Sequence, residues 1–136
     1  NSVRLVPTLN ELLEESDYIS LHIPLTKETN KLINLDRISA MKPGSFLINT
    51  SRGETVDLDA VSSALDSGHI AGAALDVFPQ EPPNLNHPIF YSPNTILTPH
   101  IAGLSDRSVV RVATEAADGI IDVLQGRNPL NEVPKT

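Results

Sequence analysis

Cysteine and tryptophan are both absent from this 136-residue sequence, and aromatics amount to two tyrosines and three phenylalanines. Without cysteine, disulfides, thiolate metal sites and cysteine nucleophiles are excluded from this stretch. The lack of cysteine also fits a reducing compartment, so a cytoplasmic location is expected. With so few aromatic rings, Leu, Ile, Val and Ala must fill the core. No apolar run approaches the roughly 20 residues that cross a bilayer, and no basic segment followed by an apolar one opens the sequence. Neither a membrane span nor a signal peptide is expected. Basic residues are in the minority, 10 against 17 acidic ones, for a net charge of −7. Nucleic acid is therefore not an expected partner, because phosphate binding needs a basic face. A local basic site for a small anion is compatible with that charge.

What is present reads as alternating strands and helices. The length suits one domain with its own core. Thr8 followed by Glu11 has the spacing of a capping box, and Leu9, Leu12 and Leu13 share a face, so a helix is predicted there. Residues 18–23 form an apolar run stopped by Pro24, which predicts a first strand. Residues 27–42 suggest one or two short helices ended by Pro43 and Gly44. "SFLINT" is a second strand. "DLDAVSSALDSG" is a helix with Asp57 as N-cap and Gly68 at its end. "HIAGAALDVF" is a third strand and "TILTPH" a fourth, separated by a long loop over 79–94 that holds five of the eleven prolines. Residues 105–125 predict a long amphipathic helix, with Val109, Val112, Ala113, Ala116, Ile120, Val123 and Leu124 facing inward. A polar, proline-containing tail, "RNPLNEVPKT", follows. Short, uniformly apolar strands alternating with helices predict an α/β fold with a parallel sheet buried on both faces.

Ligands of open α/β sheets bind at the carboxyl ends of the strands. Here those ends read His22-Ile23-Pro24, Asn49-Thr50-Ser51-Arg52-Gly53, Asp76-Val77-Phe78-Pro79-Gln80-Glu81 and Pro99-His100. Taken singly, each has an ordinary explanation: a solvated Arg, an exposed loop Glu, a structural His. Together they bring an arginine, a carboxylate and a histidine to one sheet edge. An arginine fork binds a carboxylate through two parallel hydrogen bonds. A histidine gives or takes a proton near neutral pH, and a carboxylate beside it fixes its orientation. That set suits a substrate with a carboxylate beside a carbonyl or hydroxyl, although none of these side chains can store a hydride. His69 and His87 read as structural or solvated. Asp57 and Asp59 read as helix N-terminal residues, not metal ligands, and no metal site is expected. Arg107 and Arg111 read as helix-surface charges, with Arg107 near the loop of His100.

The stretches "SDYISLHIPLTKETNKLIN", "MKPGSFLINTSRGETVDLDAVSSAL", "SGHIAGAALDVFPQEP" and "NTILTPHIAG" occur in one order. In that order they resemble the D-isomer-specific 2-hydroxyacid dehydrogenases, over the C-terminal part of the NAD-binding domain. The resemblance runs from about residue 8 into the "NPLNEVP" tail. It implies a Rossmann-like parallel sheet with flanking helices, and residues 1–136 as one partial NAD(P)-binding domain. By resemblance, Arg52 binds the substrate carboxylate, His100 is the general acid/base and Glu81 pairs with it. Asp76 would lie near the nicotinamide carboxamide. Further cofactor contacts are implied for His22, Ile23 and Pro24, for Thr50, Ser51 and Arg52, and for His100 and Gly103. The implied reaction passes a hydride between NADH and a small 2-oxo acid or D-2-hydroxy acid. NAD is the expected cofactor, NADP its alternative, and a homodimer the expected assembly of the complete protein.

One part of the family pattern is missing. None of the seven glycines stand at G-x-G spacing, so the first βαβ unit with its G-x-G-x-x-G loop is not in this stretch. An exposed sheet edge, weak NAD binding and little or no turnover are expected of these residues alone. A second reading on the same fold is a nucleotide-sensing, corepressor-like module, which turnover of 2-oxo acids would separate from the first. Formate dehydrogenases share the fold but are disfavoured, because the resemblance there places an amide where Glu81 stands.

Overall fold

The computed structural model describes residues 3–132. Two compact units divide them after His100.

The first unit is built on four parallel strands: β1 (Tyr18–Leu21), β2 (Phe46–Asn49), β3 (Gly72–Leu75) and β4 (Thr95–Leu97). They pair in chain order, β1-β2-β3-β4. In register, Leu21 faces Asn49 and Asn49 faces Leu75, which faces Leu97. The C-terminal ends of all four strands therefore meet at one edge. Helix α1 (Leu9–Glu15) precedes β1, α2 (Leu35–Ser39) joins β1 to β2, and α3 (Leu58–Asp66) joins β2 to β3. The β3–β4 connection contains only a short 3₁₀ turn, Pro88–Phe90.

Local chemistry accounts for the helix ends. Thr8 Oγ1 accepts from Glu11 N–H, and Asn34 Oδ1 caps α2 by accepting from Arg37 N–H. Asp57 Oδ1 accepts from the N–H groups of Asp59 and Ala60 at the start of α3. Gly68, at φ +73°, closes α3 in the left-handed conformation that favours glycine. His69 is structural, as expected: its Nε2 lies 2.9 Å from the Ile38 carbonyl.

The core lies on one side of the sheet. Ile19, Leu21, Leu47, Ala73 and Leu75 pack in one cluster with Leu13, Ile38, Met41, Val61 and Leu65 from the helices. Each fully buried Leu or Ile contributes about 1.5–3 kcal/mol relative to exposure. The expectation of a sheet buried on both faces is corrected. Tyr18 and Ile96 are exposed, Phe46 nearly two-thirds covered, and the Tyr18 and Phe46 rings stack 5.1 Å apart on the open face. The reason is topological. Parallel strands taken in sequence through right-handed crossovers place successive connections on the same side. Covering the other face takes a segment winding in the opposite direction, and residues 3–100 contain none.

The second unit is the long helix α4 (Asp106–Leu124) and its tail. Ser105 and Ser108 form its capping box, and Gly126 at φ +73° ends it. Arg111 pairs with Glu115 one turn along, a surface charge as expected. The prediction that its apolar stripe faces inward is corrected. Val109, Val112, Ile120, Val123 and Leu124 are each more than half exposed, and Ala113 and Ala116 are exposed too. Among the described residues of this unit the stripe meets only its own tail, around Pro129 and Leu130, which is too little surface to bury it. Residues 133–136, the end of the predicted polar tail, lie outside the described residues.

Asp57 also carries a pH dependence. A hydrogen bond from the Lys31 ammonium, 3.0 Å away, holds its carboxyl below the ordinary value of 3.8. A lowered folded value means stability that is present above 3.8 and lost as pH falls through the folded value. Asp57→Ala should lower stability by about 1 kcal/mol at pH 7. In urea denaturation of the whole gene product, the gap to the wild type should narrow below pH 3.8. A gap that widened on acidification would show that the charged cap is not what stabilises α3.

Candidate active site

The site is assembled from the ends of β2, β3 and β4. Asn49, the last residue of β2, is 1% exposed. Its Oδ1 accepts from Ser51 N–H (3.0 Å) and Ser51 Oγ–H (2.8 Å). Its Nδ2 donates to the Arg52 carbonyl (2.9 Å), and Thr55 Oγ–H donates to the same carbonyl (2.6 Å). One buried amide thus organises the whole loop that presents Arg52. The Arg52 side chain reaches outward and donates to the Ser51 carbonyl (2.7 Å).

The next residue sets the distance to the neighbouring loop. A Cβ on Gly53 would lie 2.0 Å from the Phe78 carbonyl carbon and 2.4 Å from Pro79 N. The two backbones are therefore in direct contact, which only glycine permits.

At the end of β3, Asp76 is buried and accepts from Thr98 Oγ–H at 2.5 Å. Its backbone ties three strand ends together: its N–H donates to the Asn49 carbonyl, and its carbonyl accepts from His100 N–H (2.8 Å). His100 has φ +57°, a left-handed conformation that costs a non-glycine residue roughly 1–2 kcal/mol. The turn brings its ring to Glu81, whose Oε2 lies 2.8 Å from His100 Nδ1. A carboxylate only accepts, so Nδ1 carries the proton and Nε2 is left to exchange one. Glu81 Oε1 accepts from Phe78 N–H (3.1 Å). Its carboxyl is held below its ordinary value, first by the His100 hydrogen bond and then by the Phe78 N–H.

Arg52, Glu81 and His100 line one cavity of about 190 Å³ with Gly53, Val77, Phe78 and Pro79. Thr50 is exposed and Ser51 buried beside them. At the end of β1, His22 is exposed and its Nε2 lies 2.8 Å from Ser20 Oγ. Ile23 is half-buried and Pro24 exposed. Gly103 belongs to the second unit, where its carbonyl accepts from Ser108 Oγ–H. Among the described residues no cluster of His, Asp and Glu could hold a metal ion. Hydroxyl, imidazole and backbone groups at the ends of β1 and β2, with the buried Asp76 carboxylate, match the amide and hydroxyl groups of a dinucleotide in chemistry.

Sequence reasoning did not single out Asn49, Thr55, Thr98 or the Phe78 N–H. Asn49 carried a usable signal: an Asn whose side-chain oxygen accepts from the backbone N–H two residues on is a known local turn pattern.

Residues 1–102 match the family described as D-isomer specific 2-hydroxyacid dehydrogenase, NAD binding domain. The chain belongs to this family. It is 51% identical to a glyoxylate reductase of Thermofilum pendens over 121 residues, which is 89% of this chain and 36% of that protein. It is 42% identical to a D-3-phosphoglycerate dehydrogenase of Dictyostelium discoideum, over 89% of this chain and 31% of that one. The crystal structure of an Aquifex aeolicus D-lactate dehydrogenase complexed with NAD and lactic acid superposes with a TM-score of 0.80 at 42% identity, covering 88% of this chain and 40% of that one. The chain thus spans about a third of the length of the curated relatives it matches.

The Gly53 contact is directly testable. Gly53→Ala should cost about 3 kcal/mol of stability, because backbone on both sides must move. Its melting temperature, measured on the whole gene product, should fall by several degrees. An unchanged melting temperature would mean that the two loops are not pressed together.

Proposed function

We propose that this chain carries the reacting residues of an NAD-dependent oxidoreductase that interconverts small 2-oxo acids and D-2-hydroxy acids. The observation that carries the reading is the 2.8 Å His100–Glu81 pair in the same cavity as Arg52. The Arg52 guanidinium receives the substrate carboxylate through its fork of N–H donors. His100 Nε2 gives a proton to the substrate oxygen in reduction and takes it back in oxidation. Glu81 fixes the ring's tautomer and stabilises the imidazolium. Bound nicotinamide supplies the hydride. Asp76, Thr50, Ser51, Gly103 and the segment His22-Ile23-Pro24 are assigned to holding the cofactor, with NAD taken as that cofactor and NADP as its alternative. The small cavity supports a substrate of few heavy atoms. The same reading carries a homodimer and a cytoplasmic location as proposals.

The test is NADH oxidation by the whole gene product with glyoxylate and pyruvate, preceded by calorimetric titration of NADH. His100→Asn should lower kcat by roughly two to four orders of magnitude. Arg52→Ala should lower kcat/KM about 10- to 100-fold, mainly through KM, since it removes hydrogen bonds to a charged group. Full turnover in His100→Asn, or no reduction of any 2-oxo acid by the wild type, would overturn the reading.

A further inference from the structure

The loop over residues 79–94 carries Glu81 and has little regular structure to hold it. One anchor is local: Phe78 N–H donates to Glu81 Oε1. The other lies at the far end of the loop, at His87. Its Nδ1 accepts from Ile89 N–H at 3.1 Å and caps the Pro88–Phe90 turn. Its Nε2 lies 3.1 Å from Asp59 Oδ1 in the first turn of α3. Since Nδ1 accepts, Nε2 carries the hydrogen, and one neutral tautomer satisfies both partners.

The capped turn has two consequences. Ile89 is fully buried in the core. Phe90 is set with its ring 5.5 Å from that of Phe78, the residue whose N–H holds Glu81. A continuous path of contacts thus runs from His87 through the turn and the ring pair to the Glu81 carboxylate and on to His100.

We propose that His87 is a positioning residue for the Glu81–His100 pair, acting through the Pro88–Phe90 turn and the Phe90–Phe78 ring stack. The cap is the contact that matters. The Asp59 side chain is 86% exposed, and water competes for a contact so open, so it contributes little. A purely structural His87 would change stability alone, whereas a positioning one changes Glu81 in the folded protein. The catalytic part of this inference rests on the proposed reaction; the part concerning Glu81 does not.

Two near-isosteric variants of the whole gene product separate the contacts. His87→Asn keeps an acceptor at the Nδ1 position and loses Asp59. His87→Gln keeps the reach to Asp59 and loses the cap. Two readouts are taken below the melting temperature: the Glu81 carboxyl titration by 13C NMR without substrate, and kcat and KM for glyoxylate. His87→Gln should let the Glu81 titration rise toward its ordinary value of 4.5. It should also lower kcat about tenfold with KM within about twofold, the pattern of a misplaced catalytic group. His87→Asn should match the wild type in both. Should His87→Gln not fold, Phe90→Leu, which keeps the cap and removes the ring stack, should give the same rise and the same loss. Wild-type behaviour of the folded His87→Gln or Phe90→Leu protein overturns the proposal, as does equal impairment of His87→Asn and His87→Gln. A rise in the Glu81 titration without turnover of any 2-oxo acid, even by the wild type, would support the positioning role and overturn the reaction.

Discussion

The contact of the Gly53 backbone with Phe78 and Pro79 is the constraint on which the site depends. It leaves no room for a side chain, so the spacing between the Arg52 loop and the Glu81 loop is set by main-chain atoms rather than by adjustable rotamers. Arg52 is then fixed from one side by the buried Asn49 amide, and Glu81 from the other by the Phe78 N–H. A guanidinium fork and an imidazole must hold their spacing to a fraction of an ångström for both to act on one small molecule. Rigid backbone meets that requirement better than two long, solvated side chains could.

His100 adds a second fixed element. Its left-handed backbone is unfavourable by itself, and the hydrogen bond to the Asp76 carbonyl holds it there. Asp76 also accepts from Thr98 and donates its N–H to Asn49. The ends of β2, β3 and β4 are therefore cross-linked through one residue. This is what the parallel register makes available: strands in the same direction and in step bring their last residues to a common line.

Much of the fold was legible in the sequence because it is specified locally. Thr8, Asp57 and Ser105 cap helices where their side-chain chemistry says they should. The four strands lie within the apolar runs, although β3 occupies only the middle of its run, Gly72–Leu75. What could not be read was set by topology or by contacts distant in sequence. An apolar run on a one-sided sheet looks the same as one buried on both faces, since apolar residues such as Tyr18, Phe46 and Ile96 also stand on the open side. The stripe of α4 has the right periodicity, but periodicity reports a face that can be buried, not the surface that buries it. That Arg52, Glu81 and His100 come together at one cavity was legible because each follows a strand end. The contacts of His87 were not, because its cap on Ile89 N–H and its reach to Asp59 leave no periodicity in the sequence.

The exposure of the His100–Glu81 pair, about half and two-fifths respectively, bears on how such a site works. A hydrogen-bonded pair open to water is worth little to stability, since solvent competes for both partners. The same pair gains strength when water leaves, because the local dielectric falls and the field between imidazolium and carboxylate is no longer screened. The scaffold therefore fixes geometry in advance through buried groups, Asn49, Asp76 and Gly53, and leaves the His100–Glu81 pair open to water. In the proposed reaction, stability and reactivity would be carried by different residues of the same strand ends. A site built in this way can hold its arrangement while empty and still gain most of its electrostatic effect on closure.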